Sequence, residues 1–564
     1  MVHRNGGDLL VDVLRDHGVD TVFGVISVHN LPLVEALDRD LRFVPVRHEA
    51  AAVNAADGYA RATGGLGVAV TSTGTGAGNA AGSLVEALSA GSRVLHITGQ
   101  IDSEYLGQGR GVIHETPEQL AMLRAVSKHA AAVPSAELAE ETLRTAVAFA
   151  LSAPQGPASV EWPIDLQYAR QPTGATTAVP EPPPAGSVPT EPLPTEPLPT
   201  EPLPAESVRA VAAMVAAARR PLIWAGGGAR TARAQLLELA ERLGAPVLTS
   251  NAGRGVIDEA HELVVGNYAS SPRAEPLITS ADLLISVGTH FRSNETRQYQ
   301  VPLPAEHVQI DVDPAAIGRS YPASAGLVGD AATVLSALLT ELTEAGTAVG
   351  SEPGWREQGV ATREAVREHQ RAAIGCYAEI NDSLRNRLAE SSVIARDVTV
   401  PSSTWGNRLL EIRHPSTNIF PLGGGIGQGL AMGIGAAVSR PDAPTVVIAG
   451  DGGLAVHLGE LGTLAQERPW LVLVVFNDGG YGVLRSMQES QGRQPSAVDL
   501  FTPDFGALAT SFAIPYALVQ TVGSFDKVLG EALATRAPYL IEVDMTTLPP
   551  MPTPFVPPVH VPQV

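Results

Sequence analysis

The sequence predicts an α/β protein built from three doubly wound, parallel-sheet domains. Three observations carry that prediction. Short apolar runs without alternation, such as Val94–Thr98, Leu283–Val287, Thr445–Ala449 and Leu471–Phe476, read as strands buried on both faces. Segments with helical spacing lie between them, so strand and helix alternate as they do when crossovers join parallel strands. Glycine-rich turns follow several of these strands: GTGAGN at 74–79, GGG at 226–228 and GDGG at 450–453. In an open parallel sheet such turns gather at the carboxyl edge, where ligands bind.

At 564 residues the chain has room for three or four domains. Apolar residues at 44% support real cores, and 56 glycines allow helices to lie close to sheets. A net charge of −21 argues against a nucleic-acid partner and against an anionic membrane surface, but leaves small anionic substrates open. Cys376 is the sole cysteine, so no intrachain disulfide can form and a reducing compartment fits. No run approaches the roughly 20 apolar residues of a membrane span. MVHRNGGDLL carries no signal-peptide core, and the expected location is cytoplasmic.

In the first predicted domain, 1–170, Gly7–His17 places Leu9, Leu10, Val13 and Leu14 at helical spacing, and Gly18 ends the helix. Thr21–Val25 and Phe43–Val46 are strands. Between them lie the turn SVHNLP, 27–32, and a helix to about Asp40. RHEAAAVNAADGYARATG, 47–64, sets Glu49 at a strand-to-helix transition, where the helix dipole favours a carboxylate. Gly67–Thr73 is a strand, and 74–79 turns into a helix of small residues. His29 and His114 titrate near neutral pH and could relay protons or hold a substrate carboxylate or carbonyl. The plainer alternative is a hydrogen-bonded surface histidine. Ser27 and Val28 share the turn of His29.

From 171 to 206 the composition changes, and PTEPL occurs three times in succession. Each proline fixes φ and removes a donor, which predicts an extended strap. The central domain, 207–342, has strands at Pro221–Ala225, Pro246–Leu248, Leu283–Val287 and His307–Val312. Its triple glycine lacks the full GxGxxG spacing, so no FAD or other dinucleotide is expected. A nicotinamide or flavin oxidoreductase would need that fingerprint. Residues 343–371 read as a polar, exposed connection with some helix.

The last domain, 372–547, opens with a strand at Val393–Val400. A glycine loop and helix follow at Pro421–Val438. Thr445–Ala449 runs into Gly450-Asp451-Gly452-Gly453, His457–Arg468 can form a helix, and Leu471–Phe476 runs into Asn477-Asp478-Gly479-Gly480. In a parallel sheet both turns open on one edge, so Asp451 and Asp478 face each other. Two hard carboxylates flanked by glycines suit Mg²⁺ held against a phosphate. An ordinary α/β unit with a helix-capping Asp is the plainer alternative. Ala537–Val543 closes the sheet, and the proline-rich tail, 548–564, reads as extended.

The GDG turn, its spacer and the Asn-rich turn resemble the diphosphate-binding motif of thiamine diphosphate (ThDP) enzymes. RHE with DGYARATG, followed by TSTGTGAGN, resembles their pyrimidine-binding domain over about 7–165. The resemblance covers nearly all of the chain outside the strap and tail, and lies with the acetolactate synthase, benzoylformate decarboxylase and benzaldehyde lyase group. It implies ThDP and Mg²⁺ as cofactors, with Asp451, Asp478 and the Gly480 carbonyl as metal ligands. Asp478 departs from the commoner Asn and adds a negative charge. Gly450, Gly452, Gly453, Gly480 and Tyr481 would lie along the cofactor, with Asn79 bracing the turn that approaches it. Gly425 and Ile426 fall in the loop where a large apolar residue bends the cofactor into a V. Glu49 matches the acid that favours the imino form of the aminopyrimidine, which takes the thiazolium C2 proton.

Two further matches concern the substrate. His29 matches a histidine of benzaldehyde lyase-like members, and His114 stands where relatives carry Gln. Gly479–Met487 resembles the pocket helix of benzoylformate decarboxylase, which makes Tyr481, Val483 and Leu484 wall residues. The implied function is a 2-oxoacid decarboxylase or carboligase that forms aldehydes or acyloins through a C2-ylid and an enamine. Acetolactate synthase and a benzaldehyde lyase-like acyloin lyase are the alternatives within this chemistry; a non-catalytic partner protein is one outside it. In such enzymes each site spans two subunits, so a homodimer or homotetramer is expected. Some relatives bind FAD in the central domain.

Overall fold

The structure is a computed structural model that describes residues 4–170, 203–344 and 350–556. The strap expected at 171–206 lies outside the described residues up to 202, as does the tail from 557.

Three six-stranded sheets form, and every pairing within them is parallel. The first contains β1 (Thr21–Gly24), β2 (Arg42–Pro45), β3 (Gly67–Thr71), β4 (Val94–Gln100), β5 (His129–Ala132) and β6 (Ala158–Pro163), in the order β2-β1-β3-β4-β6-β5. The second contains β7 (Pro221–Ala225), β8 (Val247–Thr249), β9 (Val264–Gly266), β10 (Leu283–Val287), β11 (His307–Asp311) and β12 (Ala325–Val328), in the order β12-β11-β10-β7-β8-β9. The third contains β13 (Val393–Arg396), β14 (Asn418–Ile419), β15 (Thr445–Gly450), β16 (Leu471–Asn477), β17 (Tyr516–Val519) and β18 (Tyr539–Asp544), in the order β14-β13-β15-β16-β18-β17. The first and third sheets therefore share one winding, and the second has the dinucleotide-fold winding.

The expected doubly wound architecture is present in all three sheets. β15 and β16 are buried nearly throughout, as apolar runs without alternation require. Their register sets Gly450 beside Phe476. The chains leaving the two strands therefore emerge side by side, which brings Asp451 and Asp478 to the same edge.

The first and third sheets are joined through a pair of crossing helices, Glu49–Thr63 and Gly429–Ser439. A Cβ at Gly58 would sit 2.0 Å from the Met432 carbonyl oxygen, and one at Gly435 would sit 1.9 Å from that of Ala55. Only glycine admits so close a crossing. One continuous apolar core runs through it, from Phe23 and Val44 to Val447 and Leu473.

Several elements differ from expectation. The helix expected at His457–Arg468 spans Glu460–Glu467 and is preceded by a separate short helix, Asp451–Val456. The strand expected at Val393–Val400 ends at Arg396. The helix after β3 starts at Thr75, so most of the GTGAGN glycines lie in its first turn rather than before it. In the connection expected at 343–371, Trp355–Ile374 is a continuous helix that runs past residue 371. Its buried positions, Trp355, Gly359, Thr362, Val366, Gln370 and Ile374, recur at helical spacing. The Trp355 indole donates to the Pro221 carbonyl at 2.8 Å, so this segment seals the base of β7 rather than lying in solvent. Among the described residues, no helix is long and apolar enough to cross a membrane.

Candidate active site

At the carboxyl edge of the third sheet, the chain leaves β15 directly into a short helix, Asp451–Val456. Asp451 is 2% exposed. Its Oδ1 accepts the Asp478 N–H at 3.3 Å, and its buried Oδ2 has no hydrogen-bond partner among the described residues. Burial raises its pKa. Asp478 is pushed up to about 6, first by burial and then by the charge of Asp451. The nearest cation, Arg485, stands 4.0 Å from Asp478 and makes a closer ion pair, 2.8 Å, with Asp499.

Two glycines make this packing possible. A Cβ at Gly452 would lie 2.8 Å from the Gly480 carbonyl, and one at Gly482 would lie 1.7 Å from Asp478 Oδ2. The donor set is two carboxylates, one with an orphaned buried oxygen, and a carbonyl folded over a glycine. This set fits a hard divalent cation. Among the described residues there is no cluster of three or more His, Cys, Asp or Glu, so further ligands would come from backbone, water or phosphate.

A second acid, unremarked in the sequence, shapes the glycine loop. Asp397 lies just beyond β13 and is buried. Its carboxylate accepts backbone N–H groups from Val398 at 2.7 Å, Gly427 at 3.1 Å and Gly429 at 3.3 Å. Burial pushes it up to about 6 against those three bonds. This grip presents Gly425 and Ile426, and Ile426 remains 37% exposed instead of joining the core. Tyr481 and Val483 are half-buried, and Leu484 is exposed.

At the carboxyl edge of the first sheet, His48 caps the helix that Glu49 begins. Glu49 Oε2 accepts the Asn79 amide at 3.0 Å, and a Cβ at Gly76 would lie 3.0 Å from Glu49 Oε1. Close by, His29 and His114 meet through their Nδ1 atoms at 3.2 Å, rings edge to face with centroids 5.2 Å apart. His29 is 6% exposed; burial, with help from His114, lowers its pKa, and Asp102 opposes the shift. Its N–H reaches the Ser27 hydroxyl, and its carbonyl accepts from Gln167 at 2.9 Å. His114 takes a left-handed backbone, φ +66, with its carbonyl against Gly74. Val28, beside this pair, is exposed.

Glu49 and Asn79 thus come together, as do His29 with His114 and Asp451 with Asp478 and Gly480. Among the described residues no hydrogen bond or ion pair joins the Glu49 carboxylate to the Asp451 group within this chain. The residues just before Glu49 do reach the third domain. Arg47 N–H donates to Glu460 at 3.0 Å, and the His48 ring lies 5.2 Å from that of His457, whose Nδ1 meets the Gly427 carbonyl.

In the central domain the glycine turn after β7 is filled by its own fold. A Cβ at Gly226 would meet the Gly288 carbonyl at 2.0 Å, and one at Gly228 would meet Gly288 Cα at 2.8 Å.

These two edges, on sheets of one winding, coincide with family models that match the chain in three parts. They are the thiamine pyrophosphate enzyme N-terminal TPP binding domain at residues 4–122, the central domain at 208–338 and the C-terminal TPP binding domain at 400–543. The chain belongs to the thiamine pyrophosphate enzyme family. A probable 2-ketoarginine decarboxylase of Pseudomonas aeruginosa is 32% identical over 95% of this chain and 93% of its own length. The acetolactate synthase isozyme 2 large subunit of Escherichia coli is 29% identical over 96% of each. The fold also matches an X-ray structure from Mycobacterium smegmatis, described as a "putative thiamin diphosphate-dependent enzyme". The TM-score is 0.77 at 24% identity, over 96% of this chain and 99% of that one.

Proposed function

We propose that the chain is a ThDP- and Mg²⁺-dependent decarboxylase of 2-oxoacids that can also pass the resulting acyl unit to an aldehyde acceptor. The observation that carries this reading is the His29–His114 pair, set around the same turn, 72–79, that faces Glu49. When bound, the cofactor supplies a carbon nucleophile for the substrate carbonyl and takes up the electron pair left as CO₂ departs. Asp451, Asp478 and the Gly480 carbonyl would hold Mg²⁺ against its diphosphate. Gly450, Gly452, Gly453 and Tyr481 would lie along it, with Gly425 and Ile426 supporting its bend. Glu49, steadied by Asn79, would hold a proton against a ring nitrogen.

The two histidines share one Nδ1 proton. A proton taken up at one Nε2 can therefore leave from the other, which suits delivery of the proton that frees an aldehyde. Ser27, Val28, Val483 and Leu484 would line the pocket, and their apolar members favour a substrate with a hydrophobic portion. The resemblance to enzymes whose sites span two subunits supports reading the working unit as a homodimer or homotetramer with sites at the subunit interface. Its single cysteine fits the cytoplasm.

A panel of 2-oxoacids, including one with a guanidinium side chain, assayed with ThDP and Mg²⁺, tests the reading. CO₂ with an aldehyde is expected, and acyloin when an aldehyde is added. Acetolactate as the main product from pyruvate would move the chain to the synthases, which the Escherichia coli relative represents. Cleavage of benzoin with silence toward every 2-oxoacid would make it a lyase. Mixing Glu49→Gln with Asp451→Ala protein tests the interface. Exchange of subunits should restore up to about a quarter of wild-type activity if each site uses two chains, and nothing if it uses one.

A further inference from the structure

Beneath the turn Ser72–Gly76 lies a buried row of polar side chains for which the proposed reaction has no use. Gln119 Oε1 accepts the Gly74 N–H at 2.7 Å and lies 2.9 Å from the Thr73 hydroxyl. Its Nε2 donates to Glu161 Oε1 at 3.2 Å, which also accepts the Gln100 amide at 2.7 Å. Glu161, Gln119 and Gln100 are 4%, 2% and 5% exposed. Among the described residues no Lys or Arg forms an ion pair with Glu161; amides are its partners. Burial accordingly raises its pKa. A buried carboxyl satisfied only by amides is costly, and an apolar side chain would fill β6 at lower cost.

What the carboxyl provides is direction. Its Oε1 accepts both amides, so Gln119 must turn its NH₂ toward Glu161 and its oxygen toward Gly74. Gly74 has φ +61, and a Cβ there would lie 2.4 Å from the His114 carbonyl. Two residues on, Gly76 faces Glu49 Oε1. The far end of the row therefore sets the ground on which Glu49 and His114 stand.

We infer that Glu161 is a positioning residue: through Gln119 and Gly74 it sets the placement of Glu49 and His114. This rests on the role given to Glu49 above. The test uses the full chain with ThDP and Mg²⁺ and needs no substrate. Exchange of the C2 proton of bound ThDP is followed in deuterated buffer by acid quench and NMR, beside ThDP affinity and melting temperature.

Gln119→Glu keeps an acceptor for Gly74 but opposes two carboxylates, and its exchange should fall about 10- to 100-fold. Adding Glu161→Gln reverses the direction of the row once its end group rotates, because in wild type one oxygen of Glu161 serves both amides. The carboxylate introduced at position 119 then accepts from Gly74 and from the amide introduced at position 161, whose oxygen accepts from Gln100. That double variant should return close to the wild-type rate. Wild-type exchange in Gln119→Glu, or an unrestored rate in a double variant that melts normally, would overturn the inference. Should Gln119→Glu not fold, Glu161→Gln alone is expected to exchange more slowly than the double variant, and equal rates for these two and wild type would overturn it. If wild type binds no ThDP, the cofactor reading itself falls before any variant is made.

Discussion

Two glycine turns end central strands in this molecule, and they are glycine for different reasons. After β7, Gly226 and Gly228 are pressed against Gly288, backbone on backbone, at the switch point of a sheet with the dinucleotide winding. After β15, Gly452 is pressed against the Gly480 carbonyl and Gly453 touches the Asp397 carboxylate, so these neighbours are polar atoms, and Asp451 beside them keeps an unpartnered Oδ2. The first turn consumes its own crevice. On the reading proposed above, the second would hold ligand atoms in place. A run of glycine after a strand marks close approach, and only the identity of the approaching atom tells packing from binding.

The sharpest way to break this comparison is to remove a ligand atom on one side. Asp451→Ala should lower ThDP affinity in Mg²⁺ by about 100-fold or more, measured by calorimetry, because loss of a ligand exceeds the usual cost of disturbing its surroundings. Chelation comes next. Excess EDTA should release ThDP on gel filtration while the protein keeps its far-ultraviolet circular dichroism, since the metal edge carries no core residue of the central domain. Gly228→Ala should do the reverse. A Cβ forced against Gly288 should cost about 2 kcal/mol in unfolding free energy and leave ThDP affinity unchanged. Added FAD should leave turnover of wild type unaltered.

The smallest effect separates the first sheet from the third. His96 in β4 is fully buried, and burial pushes it down to about 3. The unfolded chain takes up that proton below its ordinary pKa of 6.5, and the folded chain does not until about 3. Stability from this group is therefore intact above pH 6.5 and is lost as pH falls, by roughly 2 kcal/mol at pH 5. The strands of the third sheet carry no histidine. His96→Asn should flatten that part of the pH dependence of the urea midpoint.

Most strands legible in the sequence were runs buried on both faces, but the half-exposed β2 was read as well and the fully buried β6, ASVEWP, was not, since its polar residues break the apolar run. β14 has two residues, β9 three, and β5 reads HAAA, which composition assigns to helix. Such edge strands owe their form to their neighbours rather than to their own residues. The helix Trp355–Ile374 did carry a helical stripe, but its charged faces made it read as solvent-exposed. The facing of Asp451 and Asp478 could be inferred because parallel register forces it. Asp397 could not: it grips Gly427 and Gly429 across some thirty intervening residues. Gln119 and Glu161 were hidden likewise, since a polar residue in a strand or helix gives no sign of what it meets.

The shared core across the Gly58–Met432 crossing has a practical corollary for anyone recombining enzymes of this kind. The outer two domains share one apolar cluster, so a graft of either alone would strand half of a common interior. The central domain keeps its apolar interior to itself, closed by the Trp355 helix, but any transplant must carry along its buried polar seam with the last domain, where Arg254 donates to the Gly406 and Leu410 carbonyls.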